Sequence, residues 1–300
     1  MINNSYDKQV KLLLKVLPEV AKERNLALHG GTAINLFIKN MPRLSVDIDM
    51  LYIPIENRIE SVSNINFALN SIQNNLEKIL PNVKIQHLKE KGKLIISHRG
   101  SDIKLEVNLV KRGLFGEHKK IVLCEAAQNK YDAFVAMFVA PFGQLYGGKI
   151  CAALDRQHPR DIFDIKLLLE NEGISKETLT GFIFALVSNP RPMYELLSPN
   201  LLDQKKVMET QFSGMTEEIF TYSDFELYRE KLILQISNSL SSRDKQFLLS
   251  IKELNPAWSI YDFENFPAVQ WKIQNLQKLK QNDVVKYNKQ VNLLQEYLNK

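Results

Sequence analysis

The residues that could do chemistry lie in two short stretches near the N-terminus. The first is Gly30-Gly31-Thr32, and the second contains Asp47 and Asp49, two positions apart. Glycines let a bulky anion approach the main chain closely, and free N–H groups at a helix start favour phosphate. Neighbouring carboxylates suit a divalent cation. Together the two stretches predict a seat for a triphosphate and its metal, which is the chemistry of nucleotidyl transfer.

The spacing of the aspartates predicts that they share one face of a strand, because side chains alternate along a strand. The run from Asp47 to Ile53 is otherwise apolar, which predicts a largely buried strand. Two carboxylates about 5 Å apart repel by roughly 3 kcal/mol at an effective dielectric constant of about 20, so the fold must compensate them. We expect a bound Mg²⁺ to do so. The alternative is a polar strand end paired with Lys or Arg, for which Arg43 is a candidate.

The glycines follow a predicted buried strand over residues 26–29 and precede a predicted helix over residues 32–40. In the functional interpretation, Gly30 and Gly31 cradle phosphate. In the structural interpretation, this is an ordinary strand-turn-helix with Thr32 as the helix N-cap. The glycine turn alone does not decide between them.

A two-metal phosphoryl-transfer site generally needs another carboxylate from a neighbouring strand. Residues 102–109 alternate between apolar and polar side chains and predict such a strand. Glu106 lies at the centre of its polar face and is our choice for the third carboxylate, with Asp102 as the fallback. A solvated strand face explains the same pattern.

Further charged residues occur at helical spacing downstream. Lys149 and Arg156 can lie near one face of one helix, and Asp161 falls in the first turn of the next, where a carboxylate is favourable. Lys149 is a triphosphate ligand or a surface lysine, and Asp161 has an equally good interpretation as a capping residue. Asp164 is a second carboxylate of this region or a partner that orients Lys149 or Arg156.

With these residues the chain resembles the AbiEii/AbiGii-type nucleotidyltransferase toxins, a branch of the DNA polymerase β-like nucleotidyltransferase superfamily. The resemblance covers roughly the first 170 residues. It rests on blocks that occur in order, namely Gly30-Gly31-Thr32-Ala33, Arg43-x-Ser45-x-Asp47-x-Asp49, Lys149-x-x-Ala152-x-x-x-Arg156 and Arg160-Asp161-x-x-Asp164-Ile165.

The resemblance implies a metal-dependent enzyme in which Asp47 and Asp49 hold Mg²⁺, or Mn²⁺ in its place. It implies that Lys149 and Asp164 are essential, and Glu106 is the weakest assignment because no strong local motif surrounds it. The residues expected to bind the NTP are Gly30, Gly31, Thr32, Ser45 and Lys149. The residues expected to support the site are Arg43, Arg156, Arg160 and Asp161.

What the resemblance implies for the acceptor is the tRNA 3′ end, with growth arrest as the outcome and a cognate antitoxin as a partner. The protein would then be the toxin of a toxin–antitoxin or abortive-infection system. Two alternatives stay open. The same donor site could serve transfer to a protein or a small molecule, and the chain could be a non-catalytic nucleotide-sensing or RNA-binding module.

Composition narrows the class of protein. The chain has 300 residues, of which 45% are hydrophobic, a formal net charge of +5 and two cysteines. It is long enough for one large or two modest cores. The two cysteines make neither a disulfide framework nor a zinc spacing, which fits a reducing cytoplasm. No apolar run is long enough to span a membrane, so we expect a soluble cytoplasmic protein without a membrane partner.

Periodicity predicts an α+β fold: a polymerase β-like nucleotidyltransferase domain with a mixed sheet over residues 1–172, followed by a helical bundle domain over residues 173–300. Strands are predicted at 83–87, 93–98 and 103–110, with an edge strand at 121–124. Residues 272–300 carry six Lys and two acids, a pattern that fits an RNA-binding strip but is better explained as a solvated helix face. Trp258 and Trp271 are predicted in the core.

Overall fold

The computed structural model describes residues 4–299, so the outermost ends of both predicted domains, residues 1–3 and 300, lie outside the described residues. The chain forms two compact units. The first comprises Met1–Pro141 and Gln211–Ile219, and the second Phe142–Thr210 and Phe220–Lys300. The units therefore divide before the helices that carry Lys149 and Asp164, earlier than the predicted boundary at 172/173. Those helices pack on the helices that follow them.

The first unit holds a seven-stranded sheet in the order β3-β4-β5-β2-β1-β7-β6. Its strands are β1 Leu26–His29, β2 Asp47–Tyr52, β3 Lys84–Leu88, β4 Lys93–His98, β5 Ser101–Val107, β6 Lys119–Val122 and β7 Ala136–Val139. Its helices are α1 Asn4–Val20, α2 Gly30–Ala33, which continues as a π-helical turn over Ile34–Ile38, α3 Arg58–Ile79 and α4 Glu125–Tyr131.

The second unit is helical throughout its described part. Its helices are α5 Phe142–Arg156, α6 Pro159–Asn171, α7 Lys176–Val187, α8 Met193–Leu197, α9 Lys205–Gln211, α10 Tyr222–Ser239, α11 Ser242–Lys252, α12 Pro267–Asn282 and α13 Val284–Leu298. No helix within residues 4–299 has both the length and the apolar character needed to cross a membrane.

The sheet is mixed, as predicted. Strand β2 lies at its centre, antiparallel to β1 and parallel to β5, while β1 and β7 are also parallel. The pairing on both sides satisfies the main-chain hydrogen bonds of β2, and the side chains of one of its faces, among them Ile48 and Met50, have almost no contact with water. The α+β prediction with a mixed sheet is confirmed.

Most predicted strands differ from the observed ones by one to three residues at their ends. Strand β7 was missed. Its residues belong to the continuous apolar run 133–141, and periodicity cannot assign such a run to strand or helix. The connection between β3 and β4 passes through Gly92, which adopts a left-handed conformation with φ 58°.

Helices α5 and α7 approach each other through glycines. A Cβ atom built on Gly147 would overlap the main chain of Gly181, and one built on Gly181 would overlap the carbonyl group of Gly143. Only residues without side chains allow this separation of the helices. Glycine weakens a helix intrinsically, so its presence here reflects packing rather than helix propensity.

Trp271 was predicted in the core, and this prediction is wrong. Its side chain is 42% exposed and lies under Lys278, whose ammonium group is 5.9 Å from the ring centroid. The next residue, Lys272, is buried instead. Its Nζ donates hydrogen bonds to the carbonyl oxygens of Asn189, at 2.6 Å, and Arg191. One lysine of the basic C-terminal stretch, Lys272, is therefore buried and hydrogen-bonded inside the second unit.

We predict that Gly181→Ala destabilises the second unit by about 3 kcal/mol or more, because the added methyl group forces two tightly packed helices apart. Urea unfolding followed by circular dichroism measures the loss. Gln274→Ala, at an exposed helical position, is the control and should change the free energy of unfolding by less than about 0.5 kcal/mol. Equal effects of the two substitutions would contradict the packing argument.

Burial, together with the nearby Lys252, lowers the pKa of Lys272 from 10.5 to about 8. The folded chain therefore releases this proton near pH 8, whereas the unfolded chain holds it until about pH 10.5. We predict that stability rises between these pH values and that Lys272→Met makes the rise smaller. The free energy of unfolding at pH 7, 8.5 and 10 measures this rise. Lys278→Met, at an exposed position, is the control. A wild-type profile identical to that of Lys272→Met would refute the assignment.

Candidate functional site

Strand β2 presents two carboxylates on one face. Ile48 and Met50 are buried on the opposite face, whereas Asp47 and Asp49 remain partly accessible. In the sheet, Asp49 lies opposite His29 of β1 on one side and Glu106 of β5 on the other. The structure therefore confirms that Asp47 and Asp49 lie on the same face of β2, as the alternation of side chains along a strand predicted.

Gly30 packs directly against the second of these carboxylates. It has φ +71°, and a Cβ atom built on it would lie 2.6 Å from Oδ2 of Asp49. Any other residue would be strained in this conformation and would also collide with the carboxylate. The glycine turn and the aspartates are thus parts of one site.

Gly31 packs against two polar side chains from the loop that precedes β2. A Cβ atom on Gly31 would lie 2.9 Å from Nη2 of Arg43 and 3.1 Å from Oγ of Ser45. Both side chains are almost fully buried. Arg43 also donates from Nη1 to the carbonyl oxygen of Leu44 at 2.9 Å. The second glycine thus brings the main chain close to a guanidinium group and a hydroxyl group.

Thr32 joins the turn to the loop and to the strand. Its Oγ1 lies 3.0 Å from Oγ of Ser45 and donates a short hydrogen bond to the carbonyl oxygen of Asp47. Thr32 lies inside α2, and the N-cap residue is His29. The structural alternative, in which Thr32 caps the helix, is therefore wrong. The threonine hydroxyl instead links the glycine turn to the strand that carries the aspartates.

A segment distant in sequence completes this region. The main-chain N–H of Leu44 donates to the carbonyl oxygen of Met215 at 2.7 Å, and Thr216 Oγ1 donates to that of Pro42 at 2.8 Å. These contacts flank Arg43 in sequence and border a cavity of about 200 Å³ that Arg43 also lines. Sequence reasoning missed this role, because the partners Thr216 and Pro42 are 174 residues apart and no local pattern connects them.

Strand β5 adds a lysine and a carboxylate, and the neighbouring strand β4 adds a second lysine. Glu106 Oε2 lies 2.8 Å from Nζ of Lys93 and 3.4 Å from Nζ of Lys104. Lys104 is opposite Asp47 in the register, and its Nζ is 3.9 Å from Asp47 Oδ1. The sequence also allowed that a Lys or Arg pairs with the aspartates at the strand end. Lys104 forms such a pair with Asp47. The fallback residue Asp102 has an exposed side chain farther along β5.

The charges of this face alter one another's pKa values. Burial alone would lower the pKa of Lys104, but the attraction of Asp47, Asp49 and Glu106 outweighs it and raises the pKa. Burial would likewise raise the pKa of Glu106, but Lys93 and Lys104 hold it below its usual range. Both groups are therefore ionised at neutral pH. The positive charges of the lysines partly balance the negative charges of the carboxylates on this face.

The donor chemistry at β2 suits a hard divalent cation. Mg²⁺ commonly takes one or two protein carboxylates and completes its shell with water and substrate phosphates, and Asp47 with Asp49 offers such a pair. Within residues 4–299, no group of three or more His, Cys, Asp or Glu side chains is arranged to hold a metal ion. The pair therefore fits a cation that shares its coordination with a substrate.

The second unit contains a separate buried charge cluster. Lys149 Nζ on α5 lies 2.9 Å from Asp161 Oδ1 and 2.9 Å from Asp164 Oδ2, both on α6. Asp161 also accepts a hydrogen bond from Nε of Arg156 at 2.6 Å. The structure thus brings four predicted residues together, and the fifth, Arg160, donates its main-chain N–H to His158 Nδ1 at 3.1 Å.

Three members of this cluster, Lys149, Asp161 and Asp164, are almost closed to water, whereas Arg156 is 64% exposed. The side chain of Lys149 is 6% exposed and that of Asp164 is 0% exposed. Burial would raise the pKa of Asp161, but Lys149 and Arg156 outweigh it and hold the pKa well below 3.8. Asp161 is therefore more than the helix cap considered from the sequence, and Lys149 is not the surface lysine of the alternative interpretation.

Comparisons with known proteins identify the family and the fold. Residues 11–274 match the family described as "Nucleotidyl transferase AbiEii toxin, Type IV TA system". A search among curated proteins found no match to the chain. Among solved structures, MenT4, a nucleotidyltransferase toxin from Mycobacterium tuberculosis H37Rv, is similar with a TM-score of 0.60 and 12% identity, over 89% of this chain and 92% of MenT4. At that identity the likeness shows the fold alone.

We predict that Asp161→Asn destabilises the second unit by about 3 kcal/mol at pH 7, because it removes one partner from a buried ion cluster. The pKa of Asp161 is depressed in the folded chain, so its contribution is present above pH 3.8 and is lost as the pH falls below that value. The difference from wild type should therefore shrink at pH 3. Urea unfolding at both pH values measures it.

Asp155→Asn is the matched control, because Asp155 pairs with Arg191 at 2.6 Å but both side chains are accessible. Such surface pairs contribute up to about 1 kcal/mol. If the Asp161 variant were no less stable than the Asp155 variant, the cluster would not be the stabilising unit described here.

Proposed function

Since the chain belongs to the AbiEii family, the nucleotidyl transferase toxins of type IV toxin–antitoxin systems, we propose that it transfers a nucleoside monophosphate from an NTP to the 3′ end of tRNA and releases pyrophosphate. The observation that carries the proposal is the contact of the glycine turn with Asp49 on one side and with Arg43 and Ser45 on the other. A phosphate seat and a cation seat are adjacent in one unit.

The donor seat uses groups that suit a polyphosphate. Gly30 and Gly31 leave their main chain uncovered, so a phosphate can approach it. Arg43 supplies a permanent positive charge and a planar set of donors, which favours phosphate. Ser45 and Thr32 add hydroxyl groups. These residues would hold the triphosphate while negative charge develops on the departing pyrophosphate.

Asp47 and Asp49 would hold the divalent cation, Mg²⁺ or Mn²⁺. When bound, the cation neutralises phosphate charge and lowers the pKa of an attacking hydroxyl group. Glu106, opposite Asp49, remains the proposed third carboxylate on the acceptor side, although Lys93 and Lys104 already engage it. Asp102 remains the fallback.

We also propose Lys149 and Asp164 as essential residues, with Asp164 acting through its hold on the Lys149 ammonium group. The 2.9 Å contact between them and the burial of both side chains support a fixed orientation for the lysine. Asp161 and Arg156 would share this task. The orientation costs no rearrangement at the moment of reaction.

The tRNA acceptor rests on the family resemblance together with the net charge of +5, which favours association with a polyanion. Transfer to tRNA 3′ ends would stop translation and thereby arrest growth. NTPs and tRNA both occur in the cytoplasm, where we propose that the protein acts. A cognate antitoxin would be its regulatory partner.

The test is incubation of the purified chain with radiolabelled NTPs, Mg²⁺ and total tRNA. We expect labelled tRNA that disappears with EDTA and falls at least about 100-fold in Asp47→Asn, because a group that acts on transition-state charge is lost. Asp132→Asn, an exposed position in the same unit, should keep wild-type activity.

Other outcomes separate the remaining hypotheses. Label on protein or a small molecule, with the same loss in Asp47→Asn, would keep the donor site and replace the acceptor. Calorimetric binding of NTP with no transfer to any acceptor would favour a nucleotide sensor. A larger loss in Asp102→Asn than in Glu106→Gln would make Asp102 the third carboxylate.

A further inference from the structure

Lys104 lies within the carboxylate face of the first unit. Its Nζ is 3.9 Å from Asp47 Oδ1 and 3.4 Å from Glu106 Oε2, and all three side chains are about one-third exposed. Lys104 extends from β5 directly opposite Asp47. The ammonium group is therefore fixed beside one of the two residues proposed to bind the cation, and it faces the same solvent-accessible side.

Glu106, which holds Lys104, also binds a second lysine. Lys93 of β4 lies opposite Glu106 in the antiparallel register and binds the same oxygen, Oε2, at 2.8 Å. Glu106 thus bridges the two lysines. Within residues 4–299, Lys93 forms an ion pair with Glu106, whereas Lys104 pairs with Glu106 and with Asp47. The two lysines differ in this respect and provide a natural comparison.

The charges decide how many metal ions the face needs. Among the side chains of β2, β4 and β5, Asp47, Asp49 and Glu106 bring three negative charges and Lys93 and Lys104 bring two positive ones, so these five side chains together leave one negative charge. A single divalent cation is enough to make this face attractive to a triphosphate. A second divalent cation would have to bind close to the Lys104 ammonium group, and like charges at that separation repel strongly.

We propose that Lys104 is the built-in second cation of this site, so that the first unit binds one divalent metal ion at Asp47 and Asp49 rather than two. Glu106 then acts as the anchor that positions Lys104, and its alternative role as a metal ligand is displaced. This inference rests on the proposed function, because it concerns the same carboxylate pair. It adds the metal stoichiometry and a charge-balancing role for a residue that the motif does not include.

The test measures metal binding without turnover. Mn²⁺ is titrated into the full-length chain in the absence of nucleotide, and bound Mn²⁺ is counted by electron paramagnetic resonance. We expect one Mn²⁺ per wild-type chain, lost in Asp49→Asn. Lys104→Met should tighten Mn²⁺ binding by about tenfold or more, or add a second equivalent, because it removes the neighbouring positive charge.

Two variants serve as controls. Lys104→Arg keeps the charge and should bind Mn²⁺ as wild type does. Lys93→Met removes a lysine that pairs with Glu106 but not with Asp47, and it should change the affinity by less than about threefold. Thermal unfolding supplies a second measurement. The Tm of Lys104→Met should be lower than that of wild type in EDTA and should rise more on adding Mg²⁺, because three carboxylates then lack their fixed cation.

Two Mn²⁺ ions per wild-type chain would overturn the inference, as would identical Mn²⁺ binding by wild type and Lys104→Met. The absence of bound Mn²⁺ in both chains would overturn it as well. Failure of the proposed function is recognised separately, by the absence of NTP-dependent labelling of any acceptor. One bound Mn²⁺, tightened in Lys104→Met, would support the role of Lys104 even in that case.

Discussion

The contact between Gly30 and Asp49 is the constraint on which the rest of the candidate site depends. A left-handed glycine at the end of β1 brings the turn against a carboxylate of β2, and no other residue type allows both the conformation and the approach. The neighbouring contacts of Gly31 with Arg43 and Ser45 follow from the same turn. The sheet supports this arrangement by fixing His29 opposite Asp49 through the β1–β2 register.

In both units, lysine or arginine side chains balance the charge of clustered carboxylates. In the first, lysines of β4 and β5 compensate the carboxylate face, and in the second, Lys149 and Arg156 compensate Asp161 and Asp164. The two solutions differ in their access to water. The sheet face is partly open, so its charges can still attract a cation or a phosphate, whereas Lys149, Asp161 and Asp164 of the helical cluster are buried and held in one arrangement. The first is suited to exchange ligands and the second to maintain geometry.

Much of this could be predicted from the sequence where the signal is local. Alternation over residues 47–53 and 102–109 gave β2, β5 and the face of each aspartate, and the resemblance to the AbiEii family is confirmed by the family match. What failed depends on partners distant in sequence. The place of Lys104 beside Asp47 follows from strand register, and the exposure of Trp271 depends on which helices pack beside α12. The contacts of residues 211–219 with the loop around Arg43 could likewise be seen only in the folded chain.

That segment has a consequence for how the protein is made. The loop around Arg43 is bonded to Met215 and Thr216, which emerge from the ribosome well after the whole sheet has been synthesised. The nascent chain thus carries its glycine turn and aspartates for a long interval before the last piece of that unit arrives. A polypeptide released early, even one ending at residue 172, would lack this piece. Translation itself therefore delays the maturation of the toxin until most of its length exists.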